Sequence, residues 1–357
     1  MSWFQLFPQS NTAVGLSFES ESLRASEIGV VRGEVQCADV AEVLLPEGAI
    51  TNGVITNRIV VTHALKQLWK QGRFRSRNVV FTVDGASITE KDLLDPDQRD
   101  GSVNALAIQA ASETLIDARL NPIATEAIAS ALVRAGLPMS APDSVAAAVE
   151  LGSDVVTVAI FDSSGELLFT RGFANAGTDI AAMTIQSAFG ITFQEARQRM
   201  HGLDGHEFPI EDWQRRTAEI LHTWSIASAK LAADSFEQFR REHPTSTITS
   251  LVLSGNGSTL NGTSQEFKNQ LNLEVHCLDQ AALTTSLARN PHLPEIATRP
   301  NLLPQVVREA VVLLRMKRWV IAAFIVLGVV SLAAWTYQQP QLNDLNEQLQ
   351  LLRGGHL

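Results

Sequence analysis

The segment Val252–Gly262 reads VLSGNGSTLNG, a short apolar run that enters a glycine-rich turn at Gly255, Asn256, Gly257 and Ser258. Such a turn presents successive backbone N–H groups that can cradle an anion, and its glycines let the backbone approach a ligand closely. An ordinary strand-to-helix connection has the same composition. Two strand–turn–strand patterns, one near residue 15 and one near residue 152, offer further turn amides together with nearby carboxylates. Other candidates are weaker. His201 and His206 flank Asp204 in MHGLDGH, where a metal site competes with a solvated loop, and the HExxH spacing is absent. Ser163-Ser164-Gly165 has turn composition rather than that of a nucleophile elbow. Arg73, Arg75 and Arg77 form a basic cluster that reads either as a solvated helix end or as a docking surface for acidic lipid or an acidic partner.

The elements that must position these turns alternate between strand and helix patterns, which implies α/β architecture. Thr12–Glu19 and Leu23–Val31 read as a hairpin around Ser20–Ser22. Val155–Phe161 and Glu166–Phe173 read as a second hairpin. Asn78–Asp84 and Ile248–Ser254 read as strands. Ile59–Trp69, Pro122–Ala135, Thr178–Phe189, Thr192–Met200 and Glu211–Arg241 read as helices, and another starts at Gly262. In Glu211–Arg241 the aromatics Trp213, Trp224, Phe236 and Phe239 are expected to face the core.

The chain has 357 residues and is 45% hydrophobic, enough for two domains or one large one with a real core. Its net charge of −10 argues against a general nucleic-acid binder, which needs a basic surface. Cys37 and Cys277 form no metal or disulfide framework, which suits a reducing compartment. Met1–Ala13 lacks the basic-then-apolar pattern of a signal peptide. Trp319–Tyr337 is an uncharged run bounded by aromatics, with Arg308, Arg315, Lys317 and Arg318 before it. This pattern predicts one transmembrane helix with the preceding chain in the cytoplasm. Leu342, Leu345, Leu349 and Leu352 then follow heptad spacing, the start of a coiled coil or a solvated tail.

Two strand–turn–strand units plus a glycine-rich turn are the layout of the actin-like ATPase fold, two-lobed and RNase H-like. Residues 14–31, LLPEGAITNGVITN at 44–57, ALKQLWKQGRFRSRNVVFTV at 64–83, AGLP at 135–138, RGFANAGTDI at 171–180 and VLSGNGSTLNG at 252–262 resemble the PilM family, the cytoplasmic actin-like component of type IV pilus assembly. The second hairpin continues the match. Residues 299–304, RPNLLP, resemble the start of the family's partner PilN: an Asn-Leu-Leu-Pro peptide, a basic stretch, one transmembrane helix and a coiled coil. The chain thus resembles PilM joined to the start of PilN. The resemblance implies an actin-like domain at 1–288, a linker with the NLLP motif and basic helix at 289–318, the membrane span at 319–337 and an extracytoplasmic coiled-coil start at 338–357.

The resemblance also implies a nucleotide site at Ser17, Ser20, Glu150, Gly152, Gly177, Gly255, Gly257 and Ser258, and a docking motif at Asn301, Leu302, Leu303 and Pro304. Departures from the family affect the first set. The family carries Asp at the position of Ser17, and serine cannot supply the anionic oxygen that orients magnesium-bound water. Glu19 stands where the family has glycine, Glu150 where it has Asp, and Ala176 where it has the first of two glycines. Residues 85–121 are shorter than the family's inserted lobe. The expectation is weakened or lost ATP binding and no efficient hydrolysis, so no cofactor is required, with ATP and Mg as the alternative. The expected role is an inner-membrane scaffold of a pilus machine that contacts PilN- and PilO-like components, the motor ATPase and further copies of itself. A nucleotide-gated ATPase of the same machine and an L-like platform subunit of type II secretion are the alternatives.

Overall fold

The computed structural model describes residues 12–31, 34–51, 53–83, 103–140, 142, 144–202, 211–292, 301–303, 307, 309, 324 and 326–336. The chain divides into two compact units, Met1–Pro304 and Gln305–Leu357. The first unit is built from two five-stranded sheets of the same design. In one, strands β1 (Val14–Phe18), β2 (Ser22–Val31) and β3 (Glu34–Leu44) run antiparallel. Strands β6 (Asn78–Val83) and β7 (Asn121–Glu126) add parallel to β1, giving the order β3-β2-β1-β6-β7. In the other, β8 (Val145–Leu151), β9 (Val156–Asp162) and β10 (Leu167–Phe173) run antiparallel. Strands β11 (Ile248–Ser254) and β12 (Glu274–Cys277) add parallel to β8, giving β10-β9-β8-β11-β12. Strands β4 (Ile50–Thr51) and β5 (Val54–Ile55) form a small ladder within the LPEGAI segment.

Helices complete the layers: α1 (Arg58–Gln71), α2 (Val103–Asp117), α3 (Ile128–Gly136), α4 (Thr178–Phe189), α5 (Phe193–His201), α6 (Asp212–Glu242), α7 (Thr263–Leu271) and α8 (Ala282–Ala288). The central strands are buried on both faces and read as continuous apolar runs, as expected where helices cover a sheet. The two sheets share one apolar core: Ala13 and Val80 of the first half meet Ala146, Ala148 and Val252 of the second, with Leu132 of α3 and Leu287 of α8 between them. A second core packs α4, α5, α6 and α7 on the other face of the β8–β12 sheet. The turns β1–β2 and β8–β9 and the turn after β11 therefore face one another at one cleft.

Both hairpins and the strand into the glycine turn lie where the sequence places them. One expectation needs correcting. Pro122–Ala135 is not one helix: Asn121–Glu126 is the edge strand β7 and only Ile128–Gly136 is helical. Pro122 has no N–H for a ladder, which an edge strand tolerates, and Phe81 and Thr82 pair with Thr125 and Glu126 to hold the segment extended. Trp224, Phe236 and Phe239 face the core, whereas Trp213 is half-buried beside Arg199.

In the second unit Phe324 and residues 326–336 are helical, with exposed apolar side chains such as Phe324 and Trp335. Among the described residues no helix is long and apolar enough to cross a membrane. The rest of the expected span 319–337, the heptad leucines, Pro304, Asp204, His206 and residues 85–102 lie outside the described residues.

Candidate functional site: an interlobe cleft and a docked strap

The cleft gathers the sequence-predicted residues and adds others. Glu19, Ser20 and Glu21 form the β1–β2 turn, closed by the Glu19 N–H on the Ser22 carbonyl at 3.0 Å. Asn256, in the turn after β11, sends its Nδ2 to Glu19 Oε2 at 2.8 Å and to Glu21 Oε1 at 2.5 Å. Ser153, in the β8–β9 turn, donates its hydroxyl to Glu21 Oε1 at 2.8 Å and to Glu19 Oε2 at 3.3 Å. Arg24 of β2 donates Nη2 to Asn256 Oδ1 at 2.6 Å and to Glu42 at 2.9 Å, with Nη1 3.8 Å from Glu19. All three turns are thus joined by the chain's own side chains, which, apart from Glu42, are each less than a tenth exposed.

The electrostatics follow from that burial. Burial drives the Glu19 carboxyl up to about 8, against the opposing pull of Arg24, with Glu21, Glu150 and Glu42 adding to the rise. Burial likewise drives Glu150 up to about 7, moderated by the Ser254 hydroxyl and Arg24. Glu150 Oε2 has no hydrogen-bond partner, which a protonated carboxyl tolerates better than an anion. A second set of charges closes the rim. Arg197 of α5 reaches Asp179 at 2.5 Å, Glu21 at 3.2 Å and the Ser20 hydroxyl at 3.2 Å, while Ser20 donates to Asp179 at 2.7 Å. Beside these pairs lies a cavity of about 590 Å³ lined by Glu21, Arg24, Glu42, Phe193, Arg197 and Asn256 among others.

The amides that open α4 are already engaged. At the start of α4 the N–H groups of Ala176 and Gly177 bond the Asp154 carbonyl, those of Thr178 and Asp179 the carbonyls of Gly152 and Ser153. The retained glycines serve the protein's own packing. A Cβ on Gly177 would stand 2.3 Å from the Ser153 carbonyl oxygen. Gly255 has φ +85°, and a Cβ there would meet the Leu151 carbonyl at 2.6 Å and Glu150 at 2.7 Å. At Gly257 it would strike the Trp224 ring at 2.5 Å. The Trp224 indole fills the space beside the glycine turn and donates Nε1–H to the Ala176 and Gly177 carbonyls at 3.0 Å. Ser258 closes its own turn by bonding the Gly255 carbonyl at 2.7 Å. Ser17 is buried within β1, paired with Arg24 and Thr82. Sequence reasoning missed Glu21, Arg24, Ser153, Asp179 and Arg197, whereas Glu19 and Asn256 stand out in it, Asn256 by its place between two turn glycines.

A second site sits at the outer edge of β7. The Asn301 side chain donates Nδ2 to the Ile123 carbonyl at 3.2 Å and accepts from the Thr125 N–H at 3.3 Å. The Leu302 N–H bonds the Thr125 carbonyl at 2.9 Å, and the Leu303 N–H bonds Asn301 Oδ1 at 3.0 Å. Leu302 and Leu303 are buried. An asparagine carboxamide here does the work of a peptide group, completing an edge strand that would otherwise leave N–H and C=O groups open. Further along the chain toward this strap, Asn290 donates to the buried Glu126, which also pairs with Arg134 at 2.6 Å. Asn290 and Asn301 are therefore both hydrogen-bonded to β7.

A family model described as type IV pilus assembly protein PilM matches residues 106–293. The chain belongs to the PilM family. No curated protein matches it. Among solved structures it is similar to the PilM–PilN type IV pilus biogenesis complex, with 15% identity and a TM-score of 0.65 over 79% of this chain and 99% of that one. It is also similar to the ethanolamine utilization protein EutJ from Carboxydothermus hydrogenoformans, with 15% identity and a TM-score of 0.56 over 77% and 88% of the two chains. A third similar structure is MreB 5 of Spiroplasma citri bound to AMPPNP, with 12% identity and a TM-score of 0.52 over 78% and 95%. These likenesses establish the actin-like fold of this PilM family member.

Proposed function

We propose that this PilM family member is a scaffold of a type IV pilus machine rather than an ATPase. On this reading residues 1–288 form the cytoplasmic actin-like domain and 289–318 a linker that carries a PilN-like NLLP strap. Residues 319–337 anchor the chain in the inner membrane, and 338–357 begin an extracytoplasmic coiled coil. The observation that carries the reading is the seating of Asn301–Leu303 on β7, the contact expected if the partner peptide has become part of the same chain. Joining strap and groove in one polypeptide gives an effective concentration on the order of mM and removes the need for a separate tight peptide. The domain then couples the cytoplasmic motor ATPase to PilN- and PilO-like membrane components through its outer surface, as one of several copies.

The cleft supports the absence of catalysis. A phosphate placed between the three turns would have to displace Asn256 and Ser153 from Glu19 and Glu21. Glu19 and Glu21 add acidic groups where an anion would sit. These residues do not fit a bound nucleotide. Crosslinking in native membranes, followed by mass spectrometry of co-purifying proteins, tests the scaffold. Pilus membrane and motor components are expected, and their absence would overturn it. Calorimetry with Mg-ATP tests the cleft separately. No heat of binding is expected, and submicromolar binding would restore the nucleotide-gated reading.

A further inference from the structure

Glu19 stands at the meeting point of both halves of the fold. From its own turn it faces Glu21; from β2, Arg24; from β3, Glu42; from β8, Glu150. The neutral Ser153 and Asn256 bond it from the β8–β9 turn and from the turn after β11, while Arg197 of α5 and Asp179 of α4 hold the neighbouring Glu21 and Ser20. The count of nearby groups is unbalanced, with four carboxylates besides Glu19 (Glu21, Glu42, Glu150 and Asp179) against two guanidiniums. Each guanidinium already serves two carboxylates: Arg24 serves Glu19 and Glu42, and Arg197 serves Glu21 and Asp179. A charge on Glu19 in the closed cluster would lack water and a dedicated counter-ion.

The geometry points to a proton-linked latch: with Glu19 neutral, the β1–β2 turn, the β8–β9 turn and the turn after β11 close on one another through Asn256, Ser153 and Arg24, and loss of that proton opens the cleft. The two halves are then held together by a protonation state where the three turns bond one another through their own side chains. This inference rests on the reading that the cleft takes no nucleotide, and adds its regulation. The direction follows from linkage. The closed state holds the Glu19 proton up to about 8, whereas an open, hydrated carboxyl releases it near 4.5. Closure is therefore favoured below that lower value and is lost progressively as pH rises toward the upper one, by about tenfold in the closing equilibrium per pH unit.

Hydrogen exchange of the full chain in membrane mimetics reads this out. The Glu19 N–H on Ser22 and the Ser258 N–H on Gly255 lie in turns that the latch covers, and amides pairing β1 with β6 serve as the control. Protection factors, corrected for the intrinsic rate, should fall about tenfold per pH unit at the two turns between about pH 6 and about pH 8, with the control unchanged. Glu19→Gln should flatten that slope. Constant protection at the turns in the wild-type chain, a wild-type slope surviving in Glu19→Gln, or a slope removed only by Glu150→Gln would overturn the latch. The wild-type measurement stands alone if the variant fails to fold. Mg-ATP calorimetry on the same sample separates the two claims: heat of binding would defeat the ligand-free reading, and flat protection would defeat the latch.

Discussion

Asn256 Nδ2 lies 2.5 Å from Glu21 Oε1, so the turn after β11 in one half of the molecule is hydrogen-bonded to the first hairpin of the other. The same carboxamide accepts from Arg24, and one buried residue thus serves two carboxylates and a guanidinium. Asn256→Ala would leave those charged groups buried without a bridge. We expect a loss of about 3 kcal/mol in unfolding free energy, read by urea denaturation of residues 1–304. A loss below about 0.5 kcal/mol would show that water replaces the side chain at no penalty.

Stability should fall with rising pH. Glu19 and Glu150 are both raised by burial, to about 8 and about 7, so the folded state binds more protons than the unfolded one above the ordinary carboxylate value. The contribution is fully present below about pH 4.5 and is lost as pH rises through those two values. Unfolding free energy should be lower at about pH 8.5 than at about pH 6 by about 2 kcal/mol or more. An increase over that window would contradict the burial argument.

Trp224 tests whether the glycine turn is a packing feature. Trp224→Phe keeps most of the ring but removes the donor to the Ala176 and Gly177 carbonyls, which should lower stability by about 1–2 kcal/mol without creating Mg-ATP affinity. Appearance of nucleotide binding in that variant would show that the indole alone closes an otherwise competent site.

Arg134 is the counter-charge of a Glu126 whose side chain is fully buried and whose carboxyl is raised by that burial. Arg134→Met should destabilise the domain by about 3 kcal/mol, and the double variant Arg134→Met with Glu126→Gln should recover much of it. Equal losses in the two would mean that the pair does not act as a unit.

Much of the fold was legible because its signals are local. The hairpins at 14–31 and 156–173 alternate strand and turn residues, and α6 repeats apolar positions over many turns. The segment at 121–126 was misread because its helix-compatible residues become a strand only through pairing with β6, a contact made across some forty residues. The candidate site was legible by position but not by content. Gly255 and Gly257 mark the turn, yet what fills the space beside them is Trp224, more than thirty residues earlier, and what crosses the cleft is a set of charges that only folding assembles. For the strap, the resemblance to an Asn-Leu-Leu-Pro peptide marks Asn301, Leu302 and Leu303, but nothing local in those residues names β7 as the edge they meet.

The seating of that strap on β7 decides the account most directly. Hydrogen exchange at the Thr125 amide should be compared between the wild-type chain in membranes and the double variant Leu302→Asp with Leu303→Asp. The Asn301 side chain is the acceptor for that N–H, so its protection should drop about tenfold or more in the variant while the β1–β6 amides keep theirs. Unchanged protection at Thr125 would mean that the strap does not hold the β7 edge, and the proposed self-docking scaffold would be wrong.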